Sequence, residues 1–104
     1  MIEDGNLARK AMDRTTFETE LRDEGYGEVV DRRMQPREIN RTHAHEFDAR
    51  LLVLEGAMTI ASEGGERTYQ TGDIFAMPAG RPHSETAGPD GARYLAGRRY
   101  QSGS

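Results

Sequence analysis

The sequence predicts an all-β fold, a small antiparallel sandwich or barrel preceded by one short helix. Short runs rich in β-forming residues recur between Tyr26 and Tyr100, and turn residues punctuate them. The chain has 104 residues and no internal repeat of fixed period, so it has room for one hydrophobic core and too few residues for a second. Many short strands at such spacing favour sandwich or barrel architectures.

The helix comes first. Thr15 and Glu18 have capping-box spacing, Phe17 and Leu21 lie four apart on one face, and Gly25 supplies a stop. That apolar face is narrow, so the helix is expected on the outside of the β-structure. Residues before Thr15 lack periodicity and are expected to be frayed or extended. Strands are expected at Glu28 to Met34, Ala49 to Ile60, Glu66 to Gln70, Ile74 to Met77 and Tyr94 to Tyr100. Turns are expected at Gln35-Pro36, Glu63-Gly64-Gly65, Thr71-Gly72-Asp73, Pro78-Ala79-Gly80 and Gly88-Pro89-Asp90-Gly91. Gly64-Gly65 suits a tight hairpin, and Gly56 within an apolar run marks a bulge or bend. The chain thus divides into an N-terminal extension with its helix (1–25), a β-domain (26–100) and a flexible tail (101–104).

Composition narrows the function. The chain carries 14 Lys+Arg against 18 Asp+Glu, and its cations gather in no block longer than a short pair such as Arg98-Arg99. Phosphate binding needs clustered cations, so a nucleic-acid partner is not expected. Without cysteine there is no disulfide framework, thiolate zinc site or cysteine nucleophile. The first twenty residues hold five acids and no apolar run, so neither a signal peptide nor a membrane span is drawn, and a cytoplasmic protein is expected. A core this small favours a homodimer.

All three histidines fall in two places, His43-Ala44-His45 and His83. Residues two apart on a strand share a face, so His43 and His45 can present their imidazoles side by side as a chelating pair needs. Surface or hydrogen-bonded histidines would have the same spacing.

The surrounding residues resemble the two signature motifs of the cupin superfamily. The first motif reads His-x-His, three or four residues, Glu, six residues, Gly. Here it is His43-Ala44-His45, then Glu46-Phe47-Asp48, then Ala49 at the glutamate position, then six residues to Gly56. The second motif reads Gly, five residues, Pro-x-Gly, two residues, His, three residues, Asn, and is met by Gly72, Pro78, Gly80, His83 and, in place of Asn, Ala87. The resemblance covers about residues 26 to 100. It implies a double-stranded β-helix, or jelly-roll barrel, with the motif histidines pointing into the lumen.

The resemblance further implies one divalent transition metal held by His43, His45 and His83. Iron is favoured, and zinc, manganese, nickel and copper are also compatible. With alanine where the family has its acid, the set resembles that of the three-histidine cupins, which include thiol and diketone-cleaving dioxygenases. A metal-dependent oxygenase acting on a small organic molecule is therefore expected. The alternatives are a non-catalytic module that holds a ligand or metal, and a metal-assisted isomerase or lyase. Glu85, two residues past His83 and on the same face of a strand, is the candidate catalytic acid or base, and a rim carboxylate near Arg81 or Arg93 is its alternative. Strand parity turns Glu46 and Asp48 away unless a turn intervenes. Phe47, Leu51, Val53, Phe75 and Met77 are expected as core or pocket lining, and Tyr94 and Tyr100 could reach the lumen. Arg50 is expected to face outward with Asp48 as its partner.

Overall fold

The computed structural model describes residues 12–100. The expectations for residues 1–11 and for the tail at 101–104 lie outside the described residues. Helix α1 spans Arg14–Asp23, and six strands follow: β1 (Glu28–Met34), β2 (Ile39–His43), β3 (Phe47–Ser62), β4 (Gly65–Gln70), β5 (Ile74–Met77) and β6 (His83–Tyr100).

Two of the strands are long, and each serves two sheets. The first half of β3 pairs with the second half of β6, flanked by β1 and β5; the second half of β3 pairs with the first half of β6, flanked by β2 and β4. All pairings are antiparallel, which makes two four-stranded layers, β1-β6-β3-β5 and β2-β6-β3-β4: a jelly roll. The layers share strands that bend where the register slips, between Gly56↔Ala92 and Met58↔Ala87. Gly56 has a φ of 74°, and a Cβ there would overlap the Gly91 carbonyl, so the bend needs glycine.

The long β6 corrects the sequence reading. Gly88-Pro89-Asp90-Gly91 is the bulge of a continuous 18-residue strand, not a turn between separate elements. Strand β2 and the full extent of β6 were not among the expected runs, because Asn40, Arg41, Ser84 and Glu85 dilute their β-signal, although the strand that carries His83 and Glu85 was expected. The polar residues sit there because one face of these strands lines a site.

Alternation along β3 builds two cores. Ala49, Leu51 and Val53 point inward with Met58, Ile60, Met77 and Ala96; Leu52 points outward with Leu95 and meets Phe17, Leu21 and Tyr26. The helix therefore packs on the outer face, as its narrow apolar stripe implied. Leu21 lies over Gly97, where a Cβ would strike its side chain. The N-cap differs from the expected Thr15: Asp13 accepts the Thr16 N–H at 2.8 Å, and the cap lies two residues earlier. At the other end the Gly25 and Tyr26 amides donate to the Arg22 and Leu21 carbonyls, with Gly25 left-handed at φ 86°, a Schellman closure. Arg50 faces outward as expected, but its partners are Glu20 and Glu24 of the helix, at 3.1 and 3.2 Å, while Asp48 meets Arg99. No helix among the described residues is long and apolar enough to cross a membrane.

Candidate metal centre

His43 is the last residue of β2, and the chain then turns through Ala44, His45 and Glu46 into β3. The two imidazoles meet across a strand end and a turn, rather than along one regular strand as the spacing suggested. Their ring centroids are 4.8 Å apart. His83 opens β6 directly opposite His43, its centroid 4.6 Å from His43 and 5.2 Å from His45. Glu85, on the same face of β6, completes a group whose four ligand atoms all lie within 4.8 Å of one another.

Backbone contacts hold the pieces together. The Gly80 amide donates to the His45 carbonyl at 2.9 Å, and the Ala79 amide donates to the Asp48 carboxylate at 2.9 Å. These bonds tie the Pro78–Pro82 loop that carries His83 to the turn that carries His45. Asp48 is therefore a clamp beside the site. The Ala79 N–H, and secondarily Arg99, hold its carboxyl below the usual carboxylate range. Glu46 is exposed. Neither joins the ligand group.

The hydrogen bonds decide which ring atoms face inward. His43 Nδ1 lies 2.6 Å from the Arg41 carbonyl and His83 Nδ1 lies 2.9 Å from the Arg81 carbonyl. A carbonyl oxygen only accepts, so each Nδ1 carries a proton and donates, leaving Nε2 for the cluster. Glu85 Oε2 stands 3.3 Å from His83 Nε2 and 3.9 Å from His43 Nε2. Asn40 Nδ2 donates to Glu85 Oε1 at 2.9 Å and so aims Oε2 at the imidazoles. Lone pairs thus converge in a site where His83 and Glu85 are 2% and 8% exposed. Such an arrangement is repulsive unless a cation, a proton or a metal, sits among the atoms. Donors sharing one metal at about 2.0–2.2 Å stand roughly 3–4.3 Å apart, so modest ring rotation brings these four into range. The donor set fits a divalent transition metal.

His45 stacks on Phe47 with centroids 4.5 Å apart. Burial lowers its pKa, and the neighbouring His43 and His83 lower it further, so it is a neutral imidazole at physiological pH. Beside the cluster opens a cavity of about 660 Å³ whose walls include Phe47, Ala49, Leu51, Phe75, Met77 and Tyr94. Of the residues expected as lining, only Val53 is wholly core. Burial raises the Tyr94 pKa, with the Glu85 charge adding to the effect. Tyr100 does not reach the cavity; it is 53% exposed and packs on the outer part of Phe47. Sequence reasoning missed Asn40, three residues before His43, and the lumenal role of Arg98, which the alternation Tyr94, Ala96, Arg98 would have signalled.

A family model described as a cupin domain matches residues 30–96. No curated protein matches the chain significantly. Among solved structures, a Rhizobium leguminosarum protein of unknown function superposes with a TM-score of 0.67 at 23% identity, over 70% of this chain and 69% of that one, a likeness of fold. KdgF from Halomonas sp. gives a TM-score of 0.59 at 25% identity over 71% of this chain and 69% of its own. A variant of Bacillus subtilis oxalate decarboxylase gives 0.61 at 30% identity; the match covers 73% of this chain but 22% of that larger protein.

Proposed function

The chain belongs to the cupin domain family, and from that premise we propose that it is a metal-dependent enzyme in which His43, His45, His83 and Glu85 hold one divalent transition metal beside a cavity for a small organic molecule. The observation that carries this reading is the convergence of three imidazoles and one carboxylate, whose ligand atoms all lie within 4.8 Å of one another. Ala49 removes the family's acid, and Glu85 restores one from a different strand.

A metal held there would supply a Lewis acid that polarises an oxygen of the bound molecule. The protein residues do the rest. Asn40 and the Arg41 and Arg81 carbonyls fix the orientation of Glu85, His43 and His83 before any ligand arrives. Phe47, Leu51, Phe75 and Met77 exclude water from the cavity wall. Tyr94, its pKa raised, keeps its phenolic proton at neutral pH and can donate it from Oη to an oxygen of the ligand.

Glu85 also changes the reaction class. With Glu85 as a fourth protein ligand, a bound metal would keep fewer positions for a substrate and dioxygen together than three imidazoles alone would leave. That shift favours metal-assisted proton transfer or bond cleavage, as in a lyase or isomerase, over the three-histidine oxygenase. The likeness to oxalate decarboxylase supports the same direction.

Elemental analysis of protein purified without an affinity tag or chelator tests the metal, and oxygen uptake by the iron-loaded form with thiols and diketones tests the class. About one metal per chain without oxygen consumption is expected. Protein that carries no stoichiometric metal and takes none up on titration overturns the reading.

A further inference from the structure

The cavity wall carries a charge pattern opposite to that of the chain. The protein has a formal charge of −4, yet Arg32, Arg41 and Arg98 line the cavity against a single carboxylate, Glu85, which the metal cluster already engages. Several arginines outside the cavity are paired with acids, Arg93 with Asp31 and Glu55, Arg50 with Glu20 and Glu24, Arg99 with Asp48, and Arg14 with Glu18 and Asp31. The cavity arginines lack such close partners. Among the described residues Arg32 and Arg41 make no ion pair, and Arg98 meets only the exposed Glu28, at 3.8 Å.

Strand geometry sets two of these cations on one wall. Tyr94, Ala96 and Arg98 alternate along β6 toward the lumen, and β1 runs beside them with Arg32 directly opposite Tyr94 and Val30 opposite Ala96. Arg98 is held in place: its guanidinium lies 4.7 Å from the Phe47 ring centroid, and the same ring stacks on His45. One aromatic ring therefore contacts both the cation and a proposed metal ligand. Phe47 also limits how far the Arg98 side chain can swing into solvent.

The geometry points to an anion subsite formed by Arg98 and Arg32, with Tyr94 opposite Arg32 and the Val30–Ala96 pair between the two cations, that selects a small organic carboxylate as the ligand of the metal site. It rests on the metal reading above for the role of the ligand's other end, but not for the anion contact. A guanidinium presents paired N–H donors that match the two oxygens of a carboxylate in a charge-assisted contact. Ile39, Leu51 and Phe75, with Val30 between the two cations, suit the carbon skeleton of such an acid.

The test uses the full chain, with and without saturating zinc, titrated calorimetrically with malonate, succinate and benzoate, each against its uncharged amide. At least one acid should bind, its amide at least tenfold more weakly. Arg98→Gln and Arg32→Gln should each weaken the acid at least tenfold, whereas Arg98→Lys should retain part of the affinity, which separates charge from a folding defect. Zinc affinity, measured separately, should be the same in all these proteins. Failure of zinc to bind would sink the metal reading while leaving the arginine dependence measurable in metal-free protein. No binding by any acid, equal binding of acid and amide, or acid binding that survives both glutamine substitutions overturns the subsite.

Discussion

Replacing Glu85 separates metal affinity from stability. Glu85 is 8% exposed, accepts from Asn40 at 2.9 Å and points its other oxygen at His83 and His43. Glu85→Gln keeps the shape and the oxygen that serves Asn40, removes the charge, and adds an amide that can donate to His83 Nε2. Metal-free Glu85→Gln should therefore melt at or above the wild-type temperature. Its metal affinity should fall about 10–100-fold, on the scale of perturbed metal sites, or roughly 1.4–2.7 kcal/mol. Glu85→Ala also leaves the Asn40 amide without its acceptor, at a cost of about 1–3 kcal/mol; in a domain of this size that lowers Tm by at least about 4 °C. Competition titration with a chromogenic chelator, run with zinc and with manganese, reads the first effect, and thermal melts of the metal-free proteins read the second. A Glu85→Gln protein that binds metal within twofold of wild type would refute the four-ligand centre. One that loses as much stability as Glu85→Ala would refute the account of the converging lone pairs.

Other consequences follow from the same contacts. His43→Ala, His45→Ala and His83→Ala should each cut metal occupancy sharply and Glu46→Ala should not, as elemental analysis after dialysis would show. In the Glu85→Gln background, Ala49→Glu should regain part of the metal affinity, because Ala49 lines the same cavity; a variant that unfolds and gains nothing from metal would mark Ala49 as a packing residue. The Asp48 carboxyl is held below its ordinary value of about 3.9, so its contribution to stability is present above that pH and is lost as pH falls through the lower folded-state value. The stability gap between wild type and Asp48→Asn, measured by urea unfolding, should thus be open at pH 6 and close in strong acid. Leu21→Ala, at a site with no solvent exposure, should cost about 2–5 kcal/mol without changing metal affinity, since the helix packs on the sheet face away from the lumen.

The sequence by itself determined the class of fold and most strand positions, and it named the four residues that the structure brings together at the candidate site. These are local matters: period-two alternation marks strands, glycine marks the bend at Gly56, and the histidine spacings sit within two motifs. It also placed Glu85 on the face of His83, because parity along one strand needs no knowledge of the partner strands. Tertiary structure decided whether those pieces meet and what each carboxylate does. Asp48 and Glu85 are alike as sequence, but the first faces the Ala79 amide and the second faces two imidazoles, a difference created by which loop lies across β3 and which strand lies beside β6. The same holds for the arginines. Arg93 and Arg98 lie on one strand five apart, and only the pairing of β6 with β1 and β3 puts one against Asp31 and Glu55 and the other on the cavity wall. Charge pairing between strands is a long-range contact, and a one-dimensional pattern carries no record of it.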